Sequence, residues 1–275
     1  MTNISSKPTS LPSDQKKDFL FLHVRDLPYF RGLLRAVESC FYQDLPLPSP
    51  IYDLGCGDGD FAALTFDKQI DVGLDPWHGP IHEAARHGAY RSLVEADAAQ
   101  APFPSGHFAS GISNSVLEHI PHIDDVLVET ARLLKPGAPF IFCVPNDNFL
   151  PSLSIARFFD RIGFKSAARA YRAFFNRISR HHHCDDPDVW RKRLEAAGFK
   201  IEKYWHYFSP SALAVLEWGH YLGLPSLISH MLFRLWILMP TRWNLALTIQ
   251  LLRPYYNEPV PQAQGAYTFY IARRT

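Results

Sequence analysis

Residues 51–59 read Ile-Tyr-Asp-Leu-Gly-Cys-Gly-Asp-Gly, a short apolar strand pattern that runs into three glycines at alternate positions. These glycines are Gly55, Gly57 and Gly59. Glycine readily adopts the backbone dihedrals that a sharp strand-to-helix turn requires, and its missing side chain lets backbone amides approach a ligand closely. The stretch therefore predicts a ligand-binding turn after the first strand of an α/β sheet.

An acidic residue follows the turn at a distance typical of a ribose-binding site. Asp75 comes sixteen residues after Gly59, at the carboxyl end of the next predicted strand. A carboxylate at this place can accept two hydrogen bonds from vicinal ribose hydroxyls. The glycines are spaced GxGxG rather than GxGxxG, and the charge of Asp53 within the turn would repel a pyrophosphate and favour a cation. We therefore predict a nucleoside ligand that carries positive charge and no phosphate.

Strand and helix patterns alternate around this turn. The predicted strands are Ile51–Cys56, Asp71–Asp75, Leu93–Ala96, Ala109–Asn114, Phe140–Val144, Phe199–Tyr207 and Ala266–Ala272, and the predicted helices include Asp60–Phe66, Ile81–Ala89, Asp124–Leu134 and Asp188–Ala197. Strict alternation implies right-handed crossovers and a parallel sheet with helices on both faces. The sequence thus predicts an α/β, Rossmann-like, doubly wound and mostly parallel seven-stranded sheet with a helical insertion or lid subdomain.

Further segments resemble one enzyme family. They are Glu95-Ala96-Asp97-Ala98, Pro102-Phe103-Pro104, Asn114-Ser115-Val116-Leu117-Glu118-His119-Ile120, Leu133-Leu134-Lys135-Pro136-Gly137 and, more weakly, Leu194-Glu195-Ala196-Ala197-Gly198-Phe199. Together with the glycine turn and Asp75, these segments resemble the class I S-adenosylmethionine-dependent methyltransferases, and among them the small-molecule group. The resemblance implies S-adenosylmethionine as methyl donor and S-adenosylhomocysteine as product.

The resemblance also assigns the cofactor site. The implied cofactor-binding residues are Asp53, Gly55, Cys56, Gly57, Gly59, Asp75, Pro76, Asp97, Ala98 and Asn114. The glycines would line the methionine half of the cofactor, Asp75 would hold the ribose, and Asp97 would bind the adenine amino group with Ala98 beside it. Asn114 would form the wall near the methionine moiety, and Asp53 would organise the glycine loop and the cofactor's ammonium.

The formal net charge of +1 conceals three segments of different charge. Residues 1–150 carry 11 basic and 19 acidic side chains (net −8), residues 151–203 carry 12 and 6 (net +6), and residues 204–275 carry 5 and 2 (net +3). We predict a disordered tail over 1–15, N-terminal helices and the cofactor-binding core over 16–146, a helical insertion for the acceptor over 147–256, and the last sheet strand within 257–275. The insertion includes the strand at 199–207.

Two histidines are candidates for a catalytic role on the acceptor side. His119 follows Glu118 at the predicted mouth of the cleft, although this pair also serves as a helix start. His182 lies within His181-His182-His183-Cys184-Asp185-Asp186, which also reads as a helix entry capped by Asp186. Consecutive residues cannot all face one metal ion, and the usual ligand spacings are absent from this run. We therefore predict no metal site.

A basic helix pattern and an apolar tail follow the core. The basic residues Arg157, Arg161, Lys165, Arg169, Arg172 and Arg180 recur mostly four positions apart. Such a helix suits either a lid over the active site or an anionic membrane surface. The apolar tail over 211–252 has no uncharged run of the roughly 18 to 20 residues that a bilayer span needs.

These features give one leading hypothesis and two alternatives. The leading one is methyl transfer to a small, lipophilic acceptor, apolar or aromatic, that the insertion encloses. The alternatives are methylation of a membrane lipid or lipid-linked saccharide at the membrane surface, and a noncatalytic cofactor-binding subunit. The acidic front half argues against a nucleic-acid partner. Four scattered cysteines and a start without a signal-peptide pattern favour a cytoplasmic protein, with peripheral membrane contact left open.

Overall fold

The computed structural model describes residues 17–233 and 235–275, with the side chains of residues 224 and 225 left out. The strands are β1 (Ile51–Leu54), β2 (Ile70–Asp75), β3 (Tyr90–Glu95), β4 (Ser110–Asn114), β5 (Pro139–Pro145), β6 (Phe199–Tyr207) and β7 (Tyr267–Arg274). The helices are α1 (Phe19–Asp26), α2 (Tyr29–Tyr42), α3 (Asp60–Thr65), α4 (His78–His87), α5 (Ile123–Leu133), α6 (Phe149–Ser152), α7 (Ser154–Arg161), α8 (Lys165–Ser179), α9 (Pro187–Ala196), α10 (Pro210–Leu222), α11 (Leu224–Phe233) and α12 (Arg242–Tyr256). The tail predicted over 1–15 lies outside the described residues.

The seven strands form one sheet in the order β3-β2-β1-β4-β5-β7-β6. The first five strands of this order run parallel, and β7 is antiparallel to both β5 and β6. After β1 the chain forms β2 and β3 on one side of it and then crosses to β4 on the other side. The carboxyl end of β1 is therefore at the switch point where such sheets bind ligands. The predicted Rossmann-like, mostly parallel seven-stranded fold is confirmed.

Each of the predicted strands and helices named above exists, and the largest shifts of their ends, three residues each, are at the starts of α4 and β3. The helix predicted over 81–89 spans His78–His87, because Gly88 adopts a left-handed conformation with φ of 63° and ends it. The strand predicted from Leu93 begins at Tyr90. The basic stretch forms the helix pair α7 and α8, which Gly163 separates with a φ of 85°.

The sheet is covered on both faces. Alternate residues of β7 point to opposite sides, so Phe269 joins a hydrophobic cluster with α1, α2 and α10, whereas Tyr270 joins a second cluster with α5 and α9. On the first face α10 packs closely against α2: a side chain on Gly219 of α10 would come within 2.3 Å of Phe30 on α2. Helix α2 is thereby fixed against the sheet, and its residues 31–38 reach the switch point.

The remaining helices lie in two stretches, α6–α8 before the α9–β6 unit and α10–α12 after it. Among the helices of the described residues, none combines the length and hydropathy that crossing a bilayer would require. The division of the chain at residue 147 remains a prediction.

Candidate active site

The glycine turn adopts the conformation that its sequence predicts. Gly55, Gly57 and Gly59 all have positive φ, at 75°, 56° and 80°. The backbone amides of Gly55 and Cys56 donate to the carbonyl of Leu74 at 2.8 and 3.0 Å, which fixes the turn to the end of β2. A side chain on Gly55 would come within 2.4 Å of Val116, whereas one on Gly57 would meet nothing within 4 Å. Gly57 thus leaves open space above the turn.

Asp75 joins the turn to the end of β2. Its carboxylate accepts hydrogen bonds from the backbone amides of Gly57 and Trp77, each at 3.0 Å. Burial raises the pKa of Asp75, and the two amide hydrogen bonds oppose this effect. A carboxylate has about four acceptor sites, so Asp75 keeps capacity for two ribose hydroxyls while it holds the loop.

Asp53 lies on β1, directly before the turn. Its side chain is buried, and Tyr90 Oη donates to its Oδ2 at 2.6 Å. Burial raises the pKa of Asp53 to about 7, against the lowering effect of the Tyr90 hydrogen bond. This carboxyl therefore gains a proton near neutral pH unless a cation lies nearby.

A cavity of 620 Å³ opens above the turn. The predicted cofactor residues that line it are Asp53, Gly55, Cys56, Gly57, Asp75, Pro76, Asp97, Ala98 and Asn114. Gly59 does not line the cavity: it is the N-cap of α3, and a side chain there would come within 3.0 Å of Ala84. A glycine is therefore required at position 59 by helix packing rather than by ligand contact. Trp77, which is 69% exposed, also lines the cavity and was not predicted.

The adenine end of this cavity is open. Asp97 is exposed, and its Oδ1 accepts a hydrogen bond from the backbone amide of Ala99 at 2.9 Å. The second carboxylate oxygen of Asp97 has no hydrogen-bond partner among the described residues, and Ala98 beside it is buried. Asp97 can therefore accept a further hydrogen bond from an exocyclic amino group.

A buried polar network forms the opposite wall. The Glu38 carboxylate on α2 accepts from Arg35 Nη1 at 3.0 Å, Asn114 Nδ2 at 2.8 Å, Ser115 Oγ at 3.1 Å and Tyr207 Oη at 2.9 Å. Asn114 also accepts from Cys143 Sγ at 3.0 Å. The Asn114 side chain is thus held within the wall.

A second cavity of 530 Å³ adjoins the first. Four residues line both cavities: Arg31, Arg35, Ser115 and His119. The second cavity is otherwise largely apolar, with Leu34, Phe149, Leu216, Trp236 and Tyr267 among its walls. A molecule in this cavity would meet a ligand of the first cavity across that shared wall.

Arg31 carries an unpaired charge at the shared wall. Over residues 17–233 and 235–275, the structure gives its guanidinium no hydrogen bond and no salt bridge, and the carboxylates of Asp58 and Asp60 act on it only at longer range. Arg35, in contrast, is paired with Glu38 and also donates to the carbonyl of Asn114 at 3.3 Å. Among the described residues at the shared wall, Arg31 is therefore a cation available to an anionic ligand.

The two predicted catalytic histidines have different surroundings. His119 lines both cavities, and its Nε2 lies 3.8 Å from Glu118 Oε1. His182 lines neither cavity; its side chain is exposed, and its backbone amide donates to the Glu118 carbonyl at 2.7 Å. That hydrogen bond turns the chain so that its neighbour His181 faces the second cavity instead.

His181 forms a cluster with Glu118 and His119. The ligand atoms of all three side chains lie within 4.8 Å of one another. Burial raises the pKa of Glu118 to about 8 and lowers that of His181 to about 3, and it also lowers the pKa of His119. Sequence reasoning identified the histidine run but selected His182, because the direction of each side chain depends on contacts with the Glu118 turn.

Comparisons with known proteins identify a methyltransferase domain and methyltransferase relatives. A family profile described as "Methyltransferase domain" matches residues 52–142, which contain the glycine turn, Asp75, Asp97 and Asn114. The chain is 29% identical to trans-aconitate 2-methyltransferase of Methylobacterium nodulans over 66% of this chain and 70% of that protein. It is 31% identical to fatty-acid O-methyltransferase of Mycolicibacterium smegmatis, over 34% of this chain and 35% of that enzyme.

A solved structure shares the fold. The S-adenosylmethionine-dependent methyltransferase of Mesorhizobium loti superposes with a TM-score of 0.54 and 18% identity, covering 88% of this chain and all of that one. At this identity the likeness concerns the fold. With the matching profile and the methyltransferase relatives, it confirms the predicted enzyme class and methyl donor. Residues 52–142 thus form a methyltransferase domain of the class I S-adenosylmethionine-dependent type.

Proposed function

We propose that this enzyme transfers a methyl group to a carboxylate oxygen of a small, lipophilic acid held in the second cavity. The observation that carries this proposal is the shared wall, where Arg31 lines both cavities and has no hydrogen-bond or salt-bridge partner among the described residues. A donor in one cavity and an acceptor in the other would meet at this cation.

The first cavity fits S-adenosylmethionine. Gly57 leaves space above the turn, Asp75 retains acceptor capacity for ribose hydroxyls, and Asp97 can accept from the adenine amino group. The buried carboxyl of Asp53 favours a positively charged ligand nearby. When bound, the donor supplies a methyl group whose carbon–sulfur bond breaks, leaving its electron pair on sulfur, as the acceptor oxygen bonds to carbon.

The second cavity suits an acid with an apolar body. Phe149, Leu216 and Trp236 offer apolar surface, and Arg31 offers a guanidinium that can hold a carboxylate through two parallel hydrogen bonds. A carboxylate is already deprotonated at neutral pH, so its methylation needs no general base. The chain's contribution is to place the oxygen and exclude water. In this reaction His119 is part of the wall and removes no proton.

The names of the relatives support an acid acceptor. Trans-aconitate 2-methyltransferase and fatty-acid O-methyltransferase are both named for carboxylic acids. These two acids differ in polarity. The largely apolar lining of the second cavity therefore supports the fatty-acid type of acceptor more than a tricarboxylate.

Replacing Arg31 by methionine tests the proposal. We expect kcat/KM for a medium-chain fatty acid to fall about 10- to 100-fold, because a charge-assisted hydrogen bond is worth about 1.5–3 kcal/mol. The readout is the mass increase of one methyl group on the acid. Arg169→Met is the matched control, since Arg169 is exposed on α8 and lines neither cavity.

Binding of S-adenosylhomocysteine separates the two uses of Arg31. We expect its Kd to stay within about threefold in Arg31→Met. If the Kd rises as much as kcat/KM falls, Arg31 holds the carboxylate of the donor and the assignment to the acceptor is wrong. If no acid is methylated but an amine or a phenol is, the proposed acceptor class is refuted.

A second candidate function is methylation of a lipid at a membrane surface. The observation that favours it is a group of apolar side chains exposed on α10–α12, where Leu227 and Trp236 also line the second cavity. The exposed members are Trp218, Leu222, Leu227, Ile228, Met231, Leu232, Phe233, Leu235, Leu238, Met239, Trp243, Leu247 and Leu251. Exposed apolar groups of this extent are typical of binding surfaces.

Vesicle co-sedimentation tests this second function. If α10–α12 contact a bilayer, wild-type protein sediments with phosphatidylglycerol vesicles at low salt, and the double variant Met231→Asp, Leu232→Asp sediments less. Met231 and Leu232 are 72% and 70% exposed, so the substitutions leave the core unchanged. Protein that stays in the supernatant with these vesicles refutes the surface-bound function without affecting the proposal of a soluble acid acceptor.

A further inference from the structure

The cluster of Glu118, His119 and His181 brings three metal-ligand side chains together from two distant parts of the chain. Glu118 and His119 lie on the 3₁₀ turn Leu117–His119 after β4, and His181 follows the end of α8. Their ligand atoms lie within 4.8 Å of one another, and the two imidazole rings are 5.3 Å apart between centroids. All three residues line the second cavity.

The Glu118 carboxylate lacks a partner on one oxygen. Glu118 is 2% exposed, and its Oε2 is buried without any hydrogen bond among the described residues. Arg35, a cation of this region, is paired with Glu38 at 3.0 Å. Buried polar atoms in native proteins are almost always satisfied, and an unpaired buried carboxylate oxygen is strongly disfavoured. A cation held between Glu118 and the histidines would satisfy this atom.

The histidines present nitrogen lone pairs toward the same place. His119 Nδ1 lies 3.1 Å from the carbonyl of Arg180 and must donate its proton there, because a carbonyl only accepts. The lone pair of His119 is therefore on Nε2, which faces Glu118. A ligating histidine in proteins usually donates its other ring nitrogen to a carbonyl or carboxylate in this way.

His181 is held by its surroundings in a similar manner. Its Nδ1 lies 3.6 Å from Cys184 Sγ, and its backbone is fixed by hydrogen bonds with Asn176 at 3.3 and 3.2 Å. The ring packs edge-on against Phe149 with centroids 5.0 Å apart. These contacts leave Nε2 as the ring nitrogen available to a ligand.

We propose that Glu118, His119 and His181 form a binding site for one divalent transition-metal ion, of the Zn²⁺ type, at the wall of the second cavity. Two imidazoles and one carboxylate are a known ligand set for Zn²⁺ sites that keep a fourth position open. Around a tetrahedral ion with metal–ligand bonds of about 2.0–2.1 Å, the ligand atoms lie about 3.4 Å apart. The three ligand atoms of the cluster, which lie within 4.8 Å of one another, would approach by rotation of the side chains when the ion binds.

Spacing along the chain cannot reveal this site. His181 belongs to the histidine run, but its two partners lie more than sixty residues earlier, so no local ligand motif exists. The site is a property of the fold, which places the end of α8 beside the turn after β4.

Metal titration of the whole protein tests the proposal. Chelator-treated protein is titrated with Co²⁺, whose visible absorption reports low-coordinate nitrogen and oxygen ligation, and Zn²⁺ affinity is then measured by competition. We expect one equivalent of Co²⁺, displaced by Zn²⁺, with a Zn²⁺ Kd below about 1 µM. Wild-type protein that binds less than a tenth of an equivalent at 100 µM metal overturns the proposal.

Three variants locate the ion. Glu118→Gln and His181→Ala should each weaken Zn²⁺ binding at least about 100-fold, whereas His182→Ala, whose exposed side chain is next in sequence, should bind as the wild type does. Equal loss in His182→Ala, or undiminished binding in the first two variants, overturns the assignment. Thermal unfolding and binding of S-adenosylhomocysteine show that each variant is folded. If a variant fails to fold, X-ray absorption of the wild-type zinc complex tests the site by counting its nitrogen and oxygen ligands. Sulfur ligation or six oxygen ligands would refute the site.

Discussion

Replacing Glu38 by alanine is expected to lower the free energy of unfolding by about 3–5 kcal/mol. The Glu38 carboxylate is fully buried and accepts hydrogen bonds from four side chains on α2, β4 and its following turn, and β6. Removing it leaves the partly buried guanidinium of Arg35 without its counter-ion. The donors of Asn114 and Tyr207, which are both buried, would also lose their acceptor.

The measurement is urea unfolding followed by circular dichroism. Glu202→Ala is the matched control, because Glu202 forms an exposed salt bridge with Arg273 between β6 and β7. Such a salt bridge adds no more than about 1 kcal/mol to the free energy of unfolding. Glu38→Gln should not restore stability, since its amide group would place a donor against Arg35 or Asn114. Equal unfolding free energies for Glu38→Ala and Glu202→Ala would show that the network contributes nothing.

The hydrogen bonds of Glu38 also hold in place the part of α2 that forms the wall shared by the two cavities. Arg35 and Glu38 lie one helical turn apart on α2, and Arg31 lies one turn before Arg35. The network fixes this face of α2 to Asn114 at the end of β4. The position of Arg31 between the two cavities therefore depends on the buried carboxylate of Glu38, which lines neither cavity in the described structure.

The cofactor cavity could be predicted because its signals are local. The glycine turn requires positive φ at three alternate positions, and Asp75 follows one strand later, so both features lie within 25 residues. Gly59 is the exception. It belongs to the glycine pattern of the turn, but a glycine is needed at this position because Ala84 packs against it.

The acceptor side could not be predicted in the same way, because it is built from distant residues. Glu38 meets Tyr207 across 169 positions, and Arg31 reaches the cavities from a helix that precedes the first strand. The histidine run was visible, but whether His181 or His182 faces inward depends on backbone hydrogen bonds to Glu118. Periodicity within the run carries no information on that choice.

Replacing Asp75 by alanine is expected to weaken binding of S-adenosylhomocysteine at least about 100-fold. The buried carboxylate retains acceptor capacity for the two ribose hydroxyls, and each hydrogen bond to a charged group is worth about 1.5–3 kcal/mol. Titration calorimetry measures the Kd, with Asp67→Ala as control because Asp67 is exposed and lines neither cavity. An unchanged Kd in Asp75→Ala would refute the assigned ribose contact.

A deoxy analogue of the ligand separates direct contact from an effect through the loop, because Asp75 also holds the amides of Gly57 and Trp77. If Asp75 binds the ribose, 2′-deoxy-S-adenosylhomocysteine should bind the wild type at least about tenfold more weakly than the parent compound. In Asp75→Ala the two compounds should bind alike, since the acceptor of the missing hydroxyl is gone. If the analogue loses equal affinity for both proteins, Asp75 acts by shaping the glycine turn, and the ribose is held by another group.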